Sequence, residues 1–581
     1  MSTPHAIGHI DTGGRRTKSE SYRPTPNVGW RRFWDRELDH YPVTRSRYLY
    51  LGLAAVAAIL LYYEFYVQAA VTPAILRDFG MTFPFFVFMI AAGNGIGALA
   101  SLGAGLTDRW GRANMVVYGL AITGLLILFG LPNAPNLWVY AVMYTALAVV
   151  EGAMLVAIPA LVRDFSPQIG RGSAMAFYAM GPVIGMLTVT EVSSNTLSHL
   201  TAWQDQYIIC GIVGLVFFVI AFFGMRELSP QLRDQVMVSE IDQKLVEARA
   251  SGIDVEKMTK SPWHTMAKRD ILIPSLGIAV FLLVYYTLIA FLVPFMSSIF
   301  GYTQQQANAL GNWMWIFNAG ALIVAGVVSD RLLVRKPIIA IGIVMTVVST
   351  ILLATHTTHA GTDYYTFVWI LSMLAVGMGL VFTAWLAAFS ETIEARNPAL
   401  TATGLGLWGL VLRFAVAGSF VVLPFVVTSM TPLIDHGTQM QAIQAKYPVQ
   451  VATFGAVDPA TLAQLQADRG NQAALGKAVT EISTTFHVTP AVATQRLIAA
   501  SQLPPADLNY LNAYGGQVQK ALSVAPQEWQ RWWWACVGAA ALMLPTIFLL
   551  KGKWNPRSAR KVEQEHEHMV EAELAKLRSA A

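Results

Sequence analysis

Long apolar runs separated by short polar turns dominate the chain. A helix needs about 20 mostly apolar residues to cross a bilayer. Twelve runs qualify, at about 48–75, 83–106, 114–131, 137–162, 173–195, 204–225, 271–299, 304–328, 337–354, 364–390, 399–428 and 530–551. These are spans 1 to 12. Four polar pieces remain: an N-terminal tail (1–47), a central loop (226–270), a segment at 429–529 and a C-terminal tail (552–581). The pattern predicts an all-α membrane protein. Its twelve transmembrane helices form two six-helix pseudo-repeat bundles, 48–225 and 271–428 with 530–551, and a small helical insertion stands on the extracytoplasmic side. Within the central loop, 239–250 reads as a short amphipathic helix. The mixed-charge tail from Glu563 to Leu577 reads as a cytoplasmic helix.

Composition agrees with this pattern. The chain is 55% hydrophobic and 13% charged, where soluble domains carry about 25% charged residues. Mean hydropathy is +0.47. These values argue against a soluble enzyme, a disordered chain and a nucleic-acid binder. Net charge is only +5, and the basic residues sit between apolar runs. Both cysteines, Cys210 and Cys536, lie inside apolar runs, so no disulfide framework is implied. No signal peptide is read in the polar, arginine-rich start.

Lysine and arginine in short loops set the expected orientation. One set of loops carries Arg109, Arg112, Arg163, Arg171, Arg331, Arg335, Lys336 and Arg396, while the opposite set carries only Arg77. The first set is therefore expected in the cytoplasm, with both termini and the central loop. The 429–529 segment then lies outside. A plasma membrane, or bacterial inner membrane, is the expected location.

The two halves repeat. Tyr62-Tyr63 and Pro73 in span 1 match Tyr285-Tyr286 and Pro294 in span 7. Phe79-Gly80-Met81-Thr82 matches Phe300-Gly301-Tyr302-Thr303. Asp108-Arg109 matches Asp330-Arg331. Leu147-Ala148-Val149 and Gly152 match Leu374-Ala375-Val376 and Gly379, and Asp164 matches Glu391. The offset stays between 221 and 227. Two similar halves suggest a transporter whose bundles rock around a site at their interface.

The loop after span 2, Gly105-Leu106-Thr107-Asp108-Arg109-Trp110-Gly111-Arg112, resembles the signature loop of the major facilitator superfamily, G-x-L-a-D-R-x-G-R-R. Ala104 replaces its first glycine and Ala113 its last basic residue. Gly326-Val327-Val328-Ser329-Asp330-Arg331, with Arg335-Lys336, is similar to a second copy. Asp164-Phe165-Ser166-Pro167 and Arg171 resemble the family's loop between spans 4 and 5. The resemblance covers all twelve spans and leaves the subfamily open. It implies gating by Asp108, Arg109, Gly111, Arg112, Asp330 and Arg331. Asp108 would face the start of span 11 near Thr401-Ala402, and Asp330 the start of span 5 near Gly172-Ser173. Aspartates there would meet the positive ends of helices.

Charged residues at bilayer depth cost about 2.5–3.5 kcal/mol on insertion scales and point to function. Glu64, Glu151 and Arg413 fall near mid-span. Glu64 has Gln68 one turn on and Tyr62 and Tyr63 just before it, and span 1 lines the central cavity in this superfamily. Its repeat mate is Thr287, which is neutral, so the scaffold does not require an acid there. The position resembles the second acid of the D-G-x-D motif in metabolite:proton symporters, nine residues before Pro73; the first acid is Leu61 here. Glu151 lies in another cavity-lining span, and its mate Met378 is also neutral. Either acid is a candidate proton carrier, or else is satisfied by neighbouring helices. Arg413 keeps its charge and needs an anion: a protein carboxylate or a substrate. Several organic-anion porters of the superfamily carry a similar arginine in span 11. Glu64, Glu151, Arg413, Gln68, Tyr62 and Tyr63 are the candidate coupling and binding residues.

Asn94 and Asn318 are expected to face other helices. Gly181-Pro182-Val183-Ile184-Gly185 resembles part of the antiporter motif G-P-x-x-G-G, though a Gly-Pro pair also bends helices. The histidines lack metal spacing and no nucleotide-binding glycine loop is present, so no metal, cofactor or ATP-driven step is expected. In the insertion, Asp458-Pro459 and Thr489-Pro490 signal helix starts. It reads as a helical cap for substrate capture, a docking site for an extracytoplasmic partner, or a tolerated surface insertion.

Three functional readings follow. The leading one is a proton-coupled secondary transporter of a small metabolite, an organic anion by preference, working by alternating access. The second is a proton-driven efflux antiporter for amphiphiles. The third is a transporter-like receptor or assembly protein using 429–529. The expected partners are a small-molecule substrate, protons and the lipid bilayer, not nucleic acid.

Overall fold

The computed structural model describes residues 34–102, 110–166, 180–229, 232, 262–397, 400–468, 470–558 and 560–561. Eleven helices among them are long and apolar enough to cross a membrane. The described part of span 5, Gly181–Thr196, is a shorter helix that completes the first bundle. Spans 1 to 4 are Thr44–Asp78, Phe83–Leu102, Arg112–Leu125 with a π-turn and a 3-10 turn to Asn133, and Leu137–Phe165. Span 6 is Trp203–Gly224, and spans 8 to 11 are Gln304–Leu332, Lys336–His356, Tyr364–Glu394 and Thr401–Val426.

The repeated tetrads have a shared physical purpose. Gly80 and Gly301 adopt left-handed φ angles of +57° and +68°, which glycine tolerates without a Cβ clash. Each ends its helix. The threonine two residues later then starts the next one: the Thr82 hydroxyl accepts from Phe85 N, and the Thr303 hydroxyl from Gln306 N in a capping box. This capping satisfies backbone donors that a helix start leaves open.

Repeated glycines bring helices together. A Cβ on Gly152 in span 4 would collide with the backbone of Gly97 in span 2. In the second half, a Cβ on Gly379 of span 10 would stand 3.0 Å from the Asn318 carbonyl of span 8. Small residues permit such close approach where apolar solvent gives no hydrophobic drive. Asn318 donates across helices to Ala375 O at 2.7 Å, whereas Asn94 bonds back to Ile90 O in its own helix. Asn318 thus bonds to another helix, as expected, and Asn94 to its own.

Two spans differ from their apolar runs. Span 7 is divided at Leu282 into Arg269–Phe281 and Leu283–Phe300. Span 12 has no separate beginning: Pro505–Ala541 is one 37-residue helix running from the insertion into the bundle, followed by a 3-10 turn at Leu544–Leu549. The apolar window began at 530 because the preceding helical turns are polar.

The insertion is helical, with helices at Met430–Lys446, Pro448–Gly455, Pro459–Ala467, Gln472–Phe486 and Pro490–Ser501. Val457, Ala478, Ile482 and Ala493 form a small core of its own. Its first helix turns Met430 and Ile434 into the main core, and packs Leu433 with Val518, Ala521 and Ile299. At the opposite face, residues Glu37–Leu38 and Glu227–Leu228 form a short parallel strand pair. The helices read at 239–250 and after Glu563 lie outside the described residues.

Candidate functional site

The two halves meet towards the insertion side. Asn308 in span 8 donates to Ala70 O in span 1 at 3.0 Å. That carbonyl lies beside a kink at Val71, two residues before Pro73, which cannot donate to the helix ladder. Asn312 donates to Ser194 of span 5 at 2.9 Å, and Phe83 of span 2 meets Phe291 of span 7 edge-on at 5.7 Å.

Deeper in the interface, charges from opposite halves converge. Glu151 of span 4 is 7% exposed and within electrostatic range of Arg413 of span 11. Tyr286 of span 7 lies within range of both. Tyr66 of span 1 faces Glu151, Tyr62, Tyr285 and Tyr286. Tyr144, two helical turns before Glu151, approaches both that acid and the Gln68 side chain. Tyr62 and Tyr66 pack 5.5 Å apart, and Tyr285 meets Trp315 edge-on at 5.4 Å. The result is one carboxyl group and one guanidinium on separate bundles, walled by phenol rings whose hydroxyls can donate or accept. The described residues contain no cluster of three or more metal-ligating acid, histidine or cysteine side chains.

Glu64 stands elsewhere. It is 1% exposed and turned into the first bundle, against Thr123 of span 3 and Cys210 and Gly214 of span 6. Among the described residues, neither carboxylate oxygen has a hydrogen-bond partner. A Cβ on Gly214 would strike its Oε1. Tyr63 turns the same way, towards Cys210. The sequence expectation grouped Glu64 and Tyr63 with Arg413; the structure separates them. The repeat explains why. Thr287, the mate of Glu64, faces span 12, where Trp532 Nε1 donates to its hydroxyl at 3.2 Å. This helix face packs on the sixth helix of its own half in both copies.

The Gly-Pro motif of span 5 also has a packing explanation. A Cβ on Gly185 would lie 2.6 Å from Tyr62 Cβ, and one on Gly181 would lie 3.2 Å from Ala58 Cβ. These glycines seat span 5 against span 1.

At the face opposite the insertion, the repeated loops carry repeated ion pairs. Arg112 Nη1 binds both Asp164 oxygens, at 2.7 and 2.8 Å. Arg335 Nε binds Glu391 at 3.1 Å and its Nη1 binds Asp330 at 2.7 Å. Asp330 is thus held by its own loop, with its side chain 74% exposed. Arg331 is exposed. Gly111 takes a φ of +89°, with Glu227 packed beneath it. Asp108 and Arg109, and the span 5 segment expected to meet Asp330, lie outside the described residues. Sequence reasoning missed Tyr66, Tyr144 and Glu227. The two tyrosines could have been found from helical spacing, four residues after Tyr62 and seven before Glu151. Glu227 carried no signal beyond its charge.

The sequence pattern of the Major Facilitator Superfamily matches residues 54–422. The chain belongs to that superfamily. It is an integral membrane transporter with the superfamily's helical fold. A Major Facilitator fold is also seen in the solved structures of a bacterial homolog of the human lysosomal transporter Spinster. Its inward-facing unoccupied form has a TM-score of 0.55 and 15% identity, covering 87% of this chain and 98% of that one. The inward-facing occupied form has the same score and identity, with 87% and 97% coverage. Among curated proteins, "Probable anion transporter 3, chloroplastic" of Oryza sativa subsp. japonica is 25% identical over 309 residues, 50% of this chain and 57% of that protein. The chain thus spans little more than half the length of this relative.

Proposed function

We propose that this protein is a proton-coupled secondary transporter of a small organic anion, working by alternating access. The observation that carries the reading is the approach of Glu151 and Arg413 from opposite halves. Arg413 is half-buried at membrane depth, and a charge held there needs an anion. When Glu151 is ionised it supplies that anion and draws the halves together. When Glu151 takes a proton, Arg413 is released to bind a substrate carboxylate, with Tyr66, Tyr144 and Tyr286 offering hydrogen bonds. Proton and substrate then exchange through one site. The name of the rice relative, a probable anion transporter, agrees with an anionic substrate.

Glu151 rather than Glu64 is favoured as the coupling acid, because Glu64 faces its own bundle. The loops bearing Arg112 and Arg335 act as the gate on the cytoplasmic side, with both termini inside and the insertion outside the plasma membrane. Gly181 and Gly185 pack against span 1, so the Gly-Pro motif gives the efflux reading no separate support.

A thermal-shift titration of the purified protein with small mono- and dicarboxylates tests the reading. Binding to the folded state raises the melting temperature. Arg413→Lys should keep the charge, lose the two-pronged geometry and weaken binding about tenfold. Equal stabilisation of wild type and Arg413→Ala by every carboxylate would refute the anion site.

A further inference from the structure

The polar tail ahead of span 1 is not a loose end where it is described. Arg36 is 2% exposed. Its Nε donates to Asn114 Oδ1 at 3.0 Å, its Nη1 donates to Phe222 O, and its guanidinium lies over the Phe222 ring at 4.7 Å. Asn114 in turn donates to Trp34 O at 2.7 Å and Trp110 O at 3.0 Å. The Trp34 ring stacks on Tyr118 at 5.2 Å. The strand pair continues the attachment: Glu227 N donates to Arg36 O at 3.1 Å, and Ser229 N to Leu38 O at 3.2 Å.

Glu227 is the connecting residue. While its backbone is pinned to the tail, its carboxylate accepts Arg112 N at 2.8 Å and fills the space beneath Gly111. That turn aims the Arg112 side chain at Asp164, at the end of span 4. An unbroken line of contacts therefore runs from Arg36 to the loop proposed as the gate. Burying a guanidinium costs several kcal/mol unless it is bonded in place. Here it is bonded to the start of span 3 and the end of span 6. Undocking it would leave Asn114 and Glu227, the two side chains that hold the Gly111–Arg112 turn, without their tail contacts.

We infer that residues 34–38 are a working part of the gate, and that Arg36 is a positioning residue for the Arg112–Asp164 pair. The tail sets how firmly that pair is held, and so biases the two access states. A process that detaches the tail would shift the transporter's resting state without touching the substrate site. This inference rests on the alternating-access reading.

The test uses the full-length chain with Cys210→Ala and Cys536→Ala, spin-labelled through Arg163→Cys and Ala395→Cys at the ends of spans 4 and 10. Pulsed electron resonance gives the ratio of open to closed distances. Arg36→Ala and Asn114→Leu should each change that ratio about fivefold, the lower end of ordinary coupling between sites, and in the same direction as Asp164→Asn. Arg36→Ala combined with Asp164→Asn should change it no further than Asp164→Asn does alone. Arg36→Lys should restore most of the wild-type ratio. Trp34→Ala, at a half-exposed ring, gives a milder shift in the same direction if the stronger variants fail to fold. Unchanged ratios in folded variants, or full additivity with Asp164→Asn, would overturn the inference, because a merely stabilising tail predicts a lower melting temperature and nothing else. A wild-type protein locked at one distance would overturn both this inference and alternating access. Two populations without anion flux would remove only the substrate reading.

Discussion

Arg112 grips Asp164 through a single guanidinium nitrogen, 2.7 and 2.8 Å from the two carboxylate oxygens. The join links the start of span 3 to the end of span 4. Arg335 and Glu391 make the equivalent join between spans 9 and 10. The two pairs differ in burial. Side-chain exposures are 10% and 6% in the first half, against 14% and 43% in the second.

That difference sets their weight. Removing one partner of a buried pair strands a charge and costs about 3–5 kcal/mol, whereas an ion pair open to water is worth about 0–1 kcal/mol. Asp164→Asn should therefore lower the melting temperature in detergent clearly, and Glu391→Gln should barely change it. The reverse order would mean that the first pair contributes little to holding its bundle.

The packing of Glu64 leads to a second expectation. Gly214→Ala puts a methyl group where the Glu64 carboxylate stands. Overpacking of this kind costs about 1–3 kcal/mol. Removing the obstacle with Glu64→Ala in the same chain should recover much of that loss. If the double variant is no better than Gly214→Ala alone, the carboxylate is not what fills that space.

Glu528 fastens the start of the insertion. Its two oxygens accept Thr428 Oγ1 at 2.7 Å and Ser429 N at 2.8 Å, joining the end of span 11 to the long helix of span 12. Hydrogen bonds to a charged group are worth about 1.5–3 kcal/mol each before exposure weakens them. Glu528→Ala should speed amide exchange through the first turns of Met430–Lys446 while leaving span 4 unchanged. Equal protection in both proteins would assign the fastening to Met430 and Leu433 instead.

Much of the fold was readable because membrane helices declare themselves by length and polarity, and because the Gly80 and Gly301 tetrads repeat a stop and a cap. The Asp164–Glu391 correspondence was readable too, as matched acids at matched helix ends. What the sequence did not reveal was direction. Tyr62 and Tyr63 are adjacent, yet one faces span 5 and the other Cys210. A hundred degrees of helical rotation decides between bundle interior and interface, and an all-round apolar helix gives no moment from which to read it. The face on which Glu64 lies was hidden for that reason. The neutral mate Thr287 did not help, because a buried threonine fits either face. The docking of Arg36 was equally hidden, since a polar tail with many arginines reads as solvated charge.

The approach of Glu151 to Arg413 from opposite halves is the centre of the functional proposal. Its most direct test is uptake of labelled small carboxylates into proteoliposomes under an imposed proton gradient, comparing wild type, Glu151→Gln and Arg413→Ala. Wild type should accumulate at least one carboxylate against its gradient. Glu151→Gln should still exchange substrate but lose gradient-driven accumulation. Arg413→Ala should fold, insert and do neither. Undiminished accumulation in Glu151→Gln would contradict the coupling role. An unstable Arg413→Ala, made stable and fully active by adding Glu151→Gln, would show that the two residues are a structural ion pair and not the site of transport.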